Sequence, residues 1–145
     1  MSDKVKTEGA AFDPAANGWE RYPTVGFNEW VGPLWRHDDG KRLRFGVVIA
    51  PKHLNRIDIV HGGMLATFAD QAMGMTARTV TGGKKHATIE LSVQFVGSVQ
   101  LGEFLEAHGE VVRATRSIVF MRSKLLVGTR TVAIASGIWK ILAEE

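Results

Sequence analysis

Between Gly62 and Val80 the only charged residues are Asp70 and Arg78, and most of the rest are small or apolar. A carboxylate among apolar neighbours is costly to bury unless it is paired or put to use. Put to use, it is a general base or a nucleophile. The same stretch opens with His61-Gly62-Gly63. If a helix starts there, its first N–H groups lack intrahelical partners and sit at the positive end of the dipole. Two glycines let another molecule approach that backbone closely. Together these features read as an oxyanion hole, with the Gly62 N–H as the favoured donor, and an acid that attacks or activates water. The structural alternatives are a tight strand-to-helix turn for the glycines, and an acid paired with Arg56 or a histidine for Asp70.

Geometry adds a condition. The eight residues from Gly62 to Asp70 span roughly 12 Å of helix. A reacting carbonyl has to lie about 3 Å from both the donor and the attacking group. Gly62 and Asp70 of one helix therefore cannot serve the same carbonyl. Two helices running antiparallel across a two-fold axis bring Gly62 of one chain to the partner's Asp70. If both residues serve one site, the protein is at least a dimer with shared sites.

The elements that must position these groups follow from patterning. "KRLRFGVVIAPKHLN" alternates and then turns at Pro51, which predicts a strand from about Leu43 to Ala50. Gly62 to Val80 holds no proline and ends at Thr81-Gly82-Gly83, which predicts a helix. Its apolar residues lie nearly all round, so the helix is expected to be buried on most sides. "ATIELSVQFVGS" alternates, with Ile89, Leu91, Val93 and Phe95 on one face and Thr88, Glu90, Ser92 and Gln94 on the other. On that face the Thr88 hydroxyl could hold a water for Asp70. "EFLEAHGEVVRA", "SIVFMRSKLLV" and "TVAIASGIWKIL" predict three further strands joined by short turns. The expected order is one strand, the long helix, then four antiparallel strands in a meander, an α+β arrangement in which a curved sheet wraps the helix. Residues 1–18 read as a loose tail and 19–145 as one domain. The segment holding Trp19, Trp30 and Trp35 reads as aromatic filler packed on the body.

Composition narrows the function classes. The 145 residues are 45% hydrophobic and 23% charged, with a net charge of +3, which allows a real core and an anionic small ligand. No basic stripe with interleaved aromatics points to nucleic acid, and no apolar run is long enough to span a membrane. The N-terminus lacks an apolar signal core, so a cytoplasmic protein is expected. Without cysteine, disulfides, thiol nucleophiles and thiolate metal sites are excluded. The five histidines show no metal-ligand spacing, so no metal is expected. Nucleophile-elbow, P-loop and dinucleotide-binding patterns are all missing.

Asn55, His61-Gly62-Gly63, Asp70 nine residues after the histidine, and Thr88 eighteen after the aspartate form a spaced pattern. By it the chain resembles the hotdog-fold acyl-CoA thioesterases, in the PaaI-like and Them2-like group, over roughly residues 25–142. The resemblance implies a hotdog fold, a long central helix wrapped by a curved antiparallel sheet of five to six strands. It also implies homodimers, often paired into tetramers, that hydrolyse an acyl-CoA thioester at the dimer interface. Carried over, Asp70 is base or nucleophile and the Gly62 N–H polarises the thioester carbonyl. Asn55 and His61 position carbonyl or water, and Thr88 assists the water. No cofactor is implied, since CoA is part of the substrate. For the substrate we expect an acyl pocket drawing on Gly63, Met64, Phe68, Met73 and the N-terminal tryptophans. Lys84, Lys85, Arg116, Ser117 and Arg122 are candidates to meet the CoA phosphates. One departure is Asp58, where the family commonly has a small residue, often glycine. Competing readings are a hotdog hydratase or dehydratase, a non-catalytic acyl-CoA-binding or sensing domain, and a structural dimer without ligand.

Overall fold

The computed structural model of the chain describes residues 12–144. Its strands are β1 (Glu20–Tyr22), β2 (Leu34–Asp38), β3 (Leu43–Val48), β4 (His86–Phe95), β5 (Phe104–Ala114), β6 (Ile118–Val127) and β7 (Arg130–Ile141). A short helix α1 (Phe27–Val31) precedes β2, and the long helix α2 (Gly62–Val80) joins β3 to β4. The strands form one antiparallel sheet in the order β1-β2-β3-β5-β6-β7-β4. The sheet wraps α2, which packs on β3, β4, β5, β6 and β7.

The observed helix has the predicted limits, and the four strands after it lie where alternation places them. Two expectations need correction. The sheet has seven strands rather than five to six, because residues 20–22 and 34–38 pair as an added edge. Neither segment alternates long enough to be read locally; each is a strand because a neighbour offers a ladder. The four strands after the helix are also not a meander. β5, β6 and β7 follow one another, but β4 lies beyond β7 at the far edge. The connection over residues 96–103 is long enough to cross from that edge back to β3's side, which hairpin rules do not anticipate.

The core is built from the concave side of the sheet and the covered side of α2. Phe45, Val47, Leu105, Val119, Met121, Leu125 and Val132 meet Leu65, Phe68, Ala69, Ala72 and Met73, all at 3% exposure or less. The helix is not covered all round, however. Gly63, Thr67, Asp70 and Gly74 form one stripe that is exposed or only partly buried, and Arg78 extends it into solvent.

Residues 12–18, read as part of the tail, are structured. Pro14 is buried, Ala15–Asn17 form a 3-10 turn, and Phe12 stacks on Phe104 with ring centroids 4.5 Å apart. The part of the predicted tail over residues 1–11 lies outside the described residues. The tryptophans divide: Trp19 is buried against Phe104, whereas Trp30 is 80% exposed.

Phe68 and Met73 need correction as substrate-pocket residues. Both have no exposed surface and sit inside the core of their own chain, because the side of α2 that carries them is the side the sheet covers. Phe68→Ala is expected to cost about 3–5 kcal/mol of stability. Urea unfolding measures this; a loss under about 1 kcal/mol would contradict a core position.

Candidate active site

The loop before α2 is shaped by its own side chains. The Asn55 side-chain oxygen accepts from the N–H groups of Ile57 (3.0 Å) and Ile59 (3.3 Å), and the Asn55 N–H donates to the Ile59 carbonyl. Closing this turn requires a left-handed residue, which is Asp58 at φ 59°. Asp is one of the few non-glycine residues that adopt this conformation readily. The departure from glycine is therefore a backbone matter, and Asp58 is exposed.

At the start of α2, His61 is the N-cap. Its Nδ1 accepts from the Gly63 N–H at 2.8 Å, and its carbonyl accepts from the N–H groups of Met64 and Leu65. A Cβ on residue 63 would lie 2.8 Å from that ring nitrogen, so the cap needs glycine there. With those donors occupied, the Gly62 N–H is the one at the helix start that finds no acceptor among the described residues. The Phe95 ring lies beside it, 3.5 Å from where a Gly62 Cβ would stand.

His53 holds this loop from below. It is 2% exposed. Its Nδ1 accepts from the Ala50 N–H at 2.9 Å, which puts the ring proton on Nε2, and Nε2 donates to the Val31 carbonyl at 2.6 Å. Its own carbonyl accepts from the His61 N–H at 2.8 Å. Burial pushes the His53 pKa below its ordinary value, against the opposing effect of the bond to Val31. Nothing in the sequence around His53 marks it; burial and partners alone reveal it.

Asp70 is half-buried on the open stripe of α2. Thr88 Oγ1 donates to Asp70 Oδ1 at 2.6 Å. No described cation pairs with Asp70, so the structural alternative with Arg56 or a histidine is not what forms. The contact with Thr88 corrects the strand reading. Strict alternation puts Thr88 on the face opposite Leu91, yet Thr88 reaches the helix while Leu91 and Val93 pack on the core. A β-bulge between Thr88 and Glu90 inserts one residue, so Thr88 and Leu91 share a face and Ile89 is left 55% exposed.

Three cavities bear on these groups. One of about 820 Å³ is lined by Leu54, Asn55, Arg56, Ile57 and His61. A second, about 380 Å³, lies between α1 and the start of α2 and includes Phe27, Trp30, His61, Gly63 and Met64. The third, about 480 Å³, includes Asp70, Gln71, Arg78, Lys85, His86 and Thr88. Gln71 is 6% exposed and its carboxamide nitrogen makes no hydrogen bond among the described residues. The structure therefore brings Asn55, His61, Gly62, Gly63 and Met64 together at one place, and Asp70, Thr88 and Lys85 at another. Lys84 lies one residue outside the third cavity. Arg116 and Ser117 form the β5–β6 turn, where the Ser117 carbonyl accepts from the Ile141 N–H, and neither lines these cavities. Arg122 lies away from these cavities. Alternation along β6 turns it to the outer sheet face, where its guanidinium donates twice to Glu110. Among the described residues there is no cluster of three or more His, Asp or Glu that could hold a metal, and no helix long and apolar enough to cross a membrane.

A long helix wrapped by a curved antiparallel sheet defines a hotdog fold. The thioesterase superfamily model matches residues 58–134, and the chain belongs to that superfamily. "Putative esterase PA0474" of Pseudomonas aeruginosa is 32% identical over 113 residues, which are 77% of this chain and 84% of that protein. Among solved structures, the BH2602 protein of Bacillus halodurans with CoA has a TM-score of 0.66 and 28% identity, over 74% of this chain and 72% of that one. A point mutant of the phenylacetic acid degradation protein PaaI of Thermus thermophilus has a TM-score of 0.71 and 21% identity, over 80% of this chain and 98% of that one.

The histidines set a pH dependence of stability. His53 has a folded-state pKa below the unfolded value near 6.5, and burial lowers His86 in the same direction. Below about pH 6.5 the unfolded chain binds protons that the folded chain refuses, so stability is full above that pH and falls as pH drops. Urea unfolding between about pH 7 and about pH 5 should show a loss of up to about 1.4 kcal/mol per pH unit from His53, with His86 adding in the same direction. His53→Gln should flatten that slope; an unchanged slope would show that His53 does not titrate in this way.

Proposed function

We propose that the protein is a cytoplasmic acyl-CoA thioesterase of the PaaI-like kind, releasing free acid and CoA at sites shared across a homodimer. The observation that carries this reading is the division of the site. One helix presents at its start a Gly62 N–H with no acceptor among the described residues, between His61 and Gly63 of one cavity wall, and two turns on the Asp70 carboxylate in another cavity. Each half is incomplete, and an antiparallel second copy completes both.

The surface supports such a copy. β4 is an edge strand of ten residues, long enough to pair with another chain. Ile89 and Phe95 along it, and Val96 just after it, are each more than half exposed. The open stripe of α2 lies beside that edge. Edge pairing of two β4 strands would set the two α2 helices alongside each other.

In this reading the thioester carbonyl oxygen accepts from the Gly62 N–H, and negative charge developing there is met by the helix dipole. Asp70 takes a proton from a water that attacks the carbonyl carbon, or attacks it itself and forms a mixed anhydride that water then hydrolyses to the free acid. The C–S bond breaks and the thiolate leaves. Thr88 keeps one Asp70 oxygen fixed, so the other is presented to the reaction. Asn55 holds the loop that aims the Gly62 N–H. The superfamily membership and the CoA in the Bacillus halodurans structure support a CoA thioester as substrate.

Thiol release from a panel of acyl-CoAs tests the reading. Asp70→Asn should lower kcat by about 10²–10⁴. Gly62→Pro removes the proposed donor at a position where proline suits a helix and follows an extended His61. It should cost about 10²–10³ in kcat with little loss of stability. A fully active Asp70→Asn protein would make Asp70 structural. Saturable binding without turnover in the wild type would favour an acyl-CoA-binding domain instead.

A further inference from the structure

A thioester of CoA has two unlike arms, and two unlike cavities meet at His61. On one side the cavity is wider and mixed, with Asn55 and the exposed Arg56 beside Leu54 and Ile57 in its wall. On the other it is smaller and carries two aromatic rings, with Phe27, Trp30, Val31 and Met64 in its wall and Lys52 and Thr67 beside them. The Gly62 N–H lies at the helix start next to His61. We propose that the acyl group enters the aromatic cavity, with Trp30 and Phe27 of α1 as its specificity-determining wall, while the pantetheine arm runs over Asn55 and Arg56. This rests on the thioesterase reading and names the substrate class within it: medium-chain or aryl acyl groups rather than acetyl.

Several observations converge. Trp30 is 80% and Phe27 64% exposed, an aromatic surface that a folded chain does not ordinarily leave open without use. A five-residue helix does not hold itself together in water. α1 is instead clamped at its end, where His53 Nε2–H donates to the Val31 carbonyl at 2.6 Å. The same His53 accepts the His61 N–H through its carbonyl. One buried histidine thus ties the aromatic wall to the residue that caps α2 and leaves Gly62 free. The wall and the oxyanion donor are held by a common anchor, as an acyl subsite next to a carbonyl site requires. Arg56 lies exposed in the wall of the other cavity, which holds no aromatic ring.

The test is selectivity. kcat/KM is measured for acetyl-CoA, octanoyl-CoA and phenylacetyl-CoA with wild type, Trp30→Ala, Phe27→Ala and Arg56→Ala, with gel filtration of each. The exposed positions make all three variants expected to fold. Trp30→Ala should lower the octanoyl/acetyl and phenylacetyl/acetyl ratios by at least about tenfold, and Phe27→Ala should act in the same direction. Arg56→Ala should raise KM for all three substrates and leave the ratios unchanged. Ratios unmoved by Trp30→Ala and Phe27→Ala would overturn the proposal, as would a fall in oligomer size on removing Trp30. If the wild type turns over none of the substrates, the thioesterase reading fails by itself. The acyl subsite is then decided by the Kd ratio of octanoyl-CoA to acetyl-CoA in wild type and Trp30→Ala.

Discussion

Nine of the nineteen residues of α2 are buried, among them Leu65, Phe68, Met73 and Ala77. Each large side chain there contributes roughly 1.5–3 kcal/mol when removed from water. That apolar side can be covered only by something that curves around it, and the sheet from β3 to β4 does so. Once the covered side is fixed, the rotation of the helix about its axis is fixed too. Gly63, Thr67, Asp70 and Gly74 are then left on the uncovered stripe. The carboxylate is accessible because the rows of the helix on its far side are committed to packing.

The helix start is governed by a different constraint, the need to satisfy backbone donors. His61 accepts the Gly63 N–H with its ring and the next two with its carbonyl, which singles out Gly62. His53, neutral and buried, fixes where His61 sits. The selectivity of this end is thus a matter of which donors find acceptors. It is independent of the packing that places Asp70, and the two meet only because one helix carries both.

At two places a local rule is broken beside a proposed functional group. The bulge at Thr88 and Glu90 breaks the alternation of β4, and that break turns the Thr88 hydroxyl onto Asp70. Asp58 takes a left-handed conformation that glycine adopts more cheaply, and it closes the turn made by Asn55. A register shift and a positive φ each cost something locally, and each is held in place by the hydrogen bonds it makes possible.

The limits of α2 and the strands that follow it were legible from the chain alone, and so was the spacing that makes Asn55, His61, Gly62, Asp70 and Thr88 candidates. Helix ends, alternation and motif spacing are properties of neighbours in sequence. So was the separation of Gly62 and Asp70 along the helix, which needs only the rise of a helix. What could not be read depends on contacts between distant residues. The place of β4 beyond β7, the pairing of β1 and β2, and the burial of Phe68 and Met73 are set by which surfaces meet. The exposure of Trp30 and the turning of Arg122 to the outer sheet face are set in the same way. The bulge hid Thr88's orientation because a one-residue insertion leaves no mark in composition. His53 was invisible because a buried histidine and a surface one are the same letter. Only the tertiary structure supplies the exclusion of water, the Val31 carbonyl and the Ala50 N–H that decide what that imidazole does.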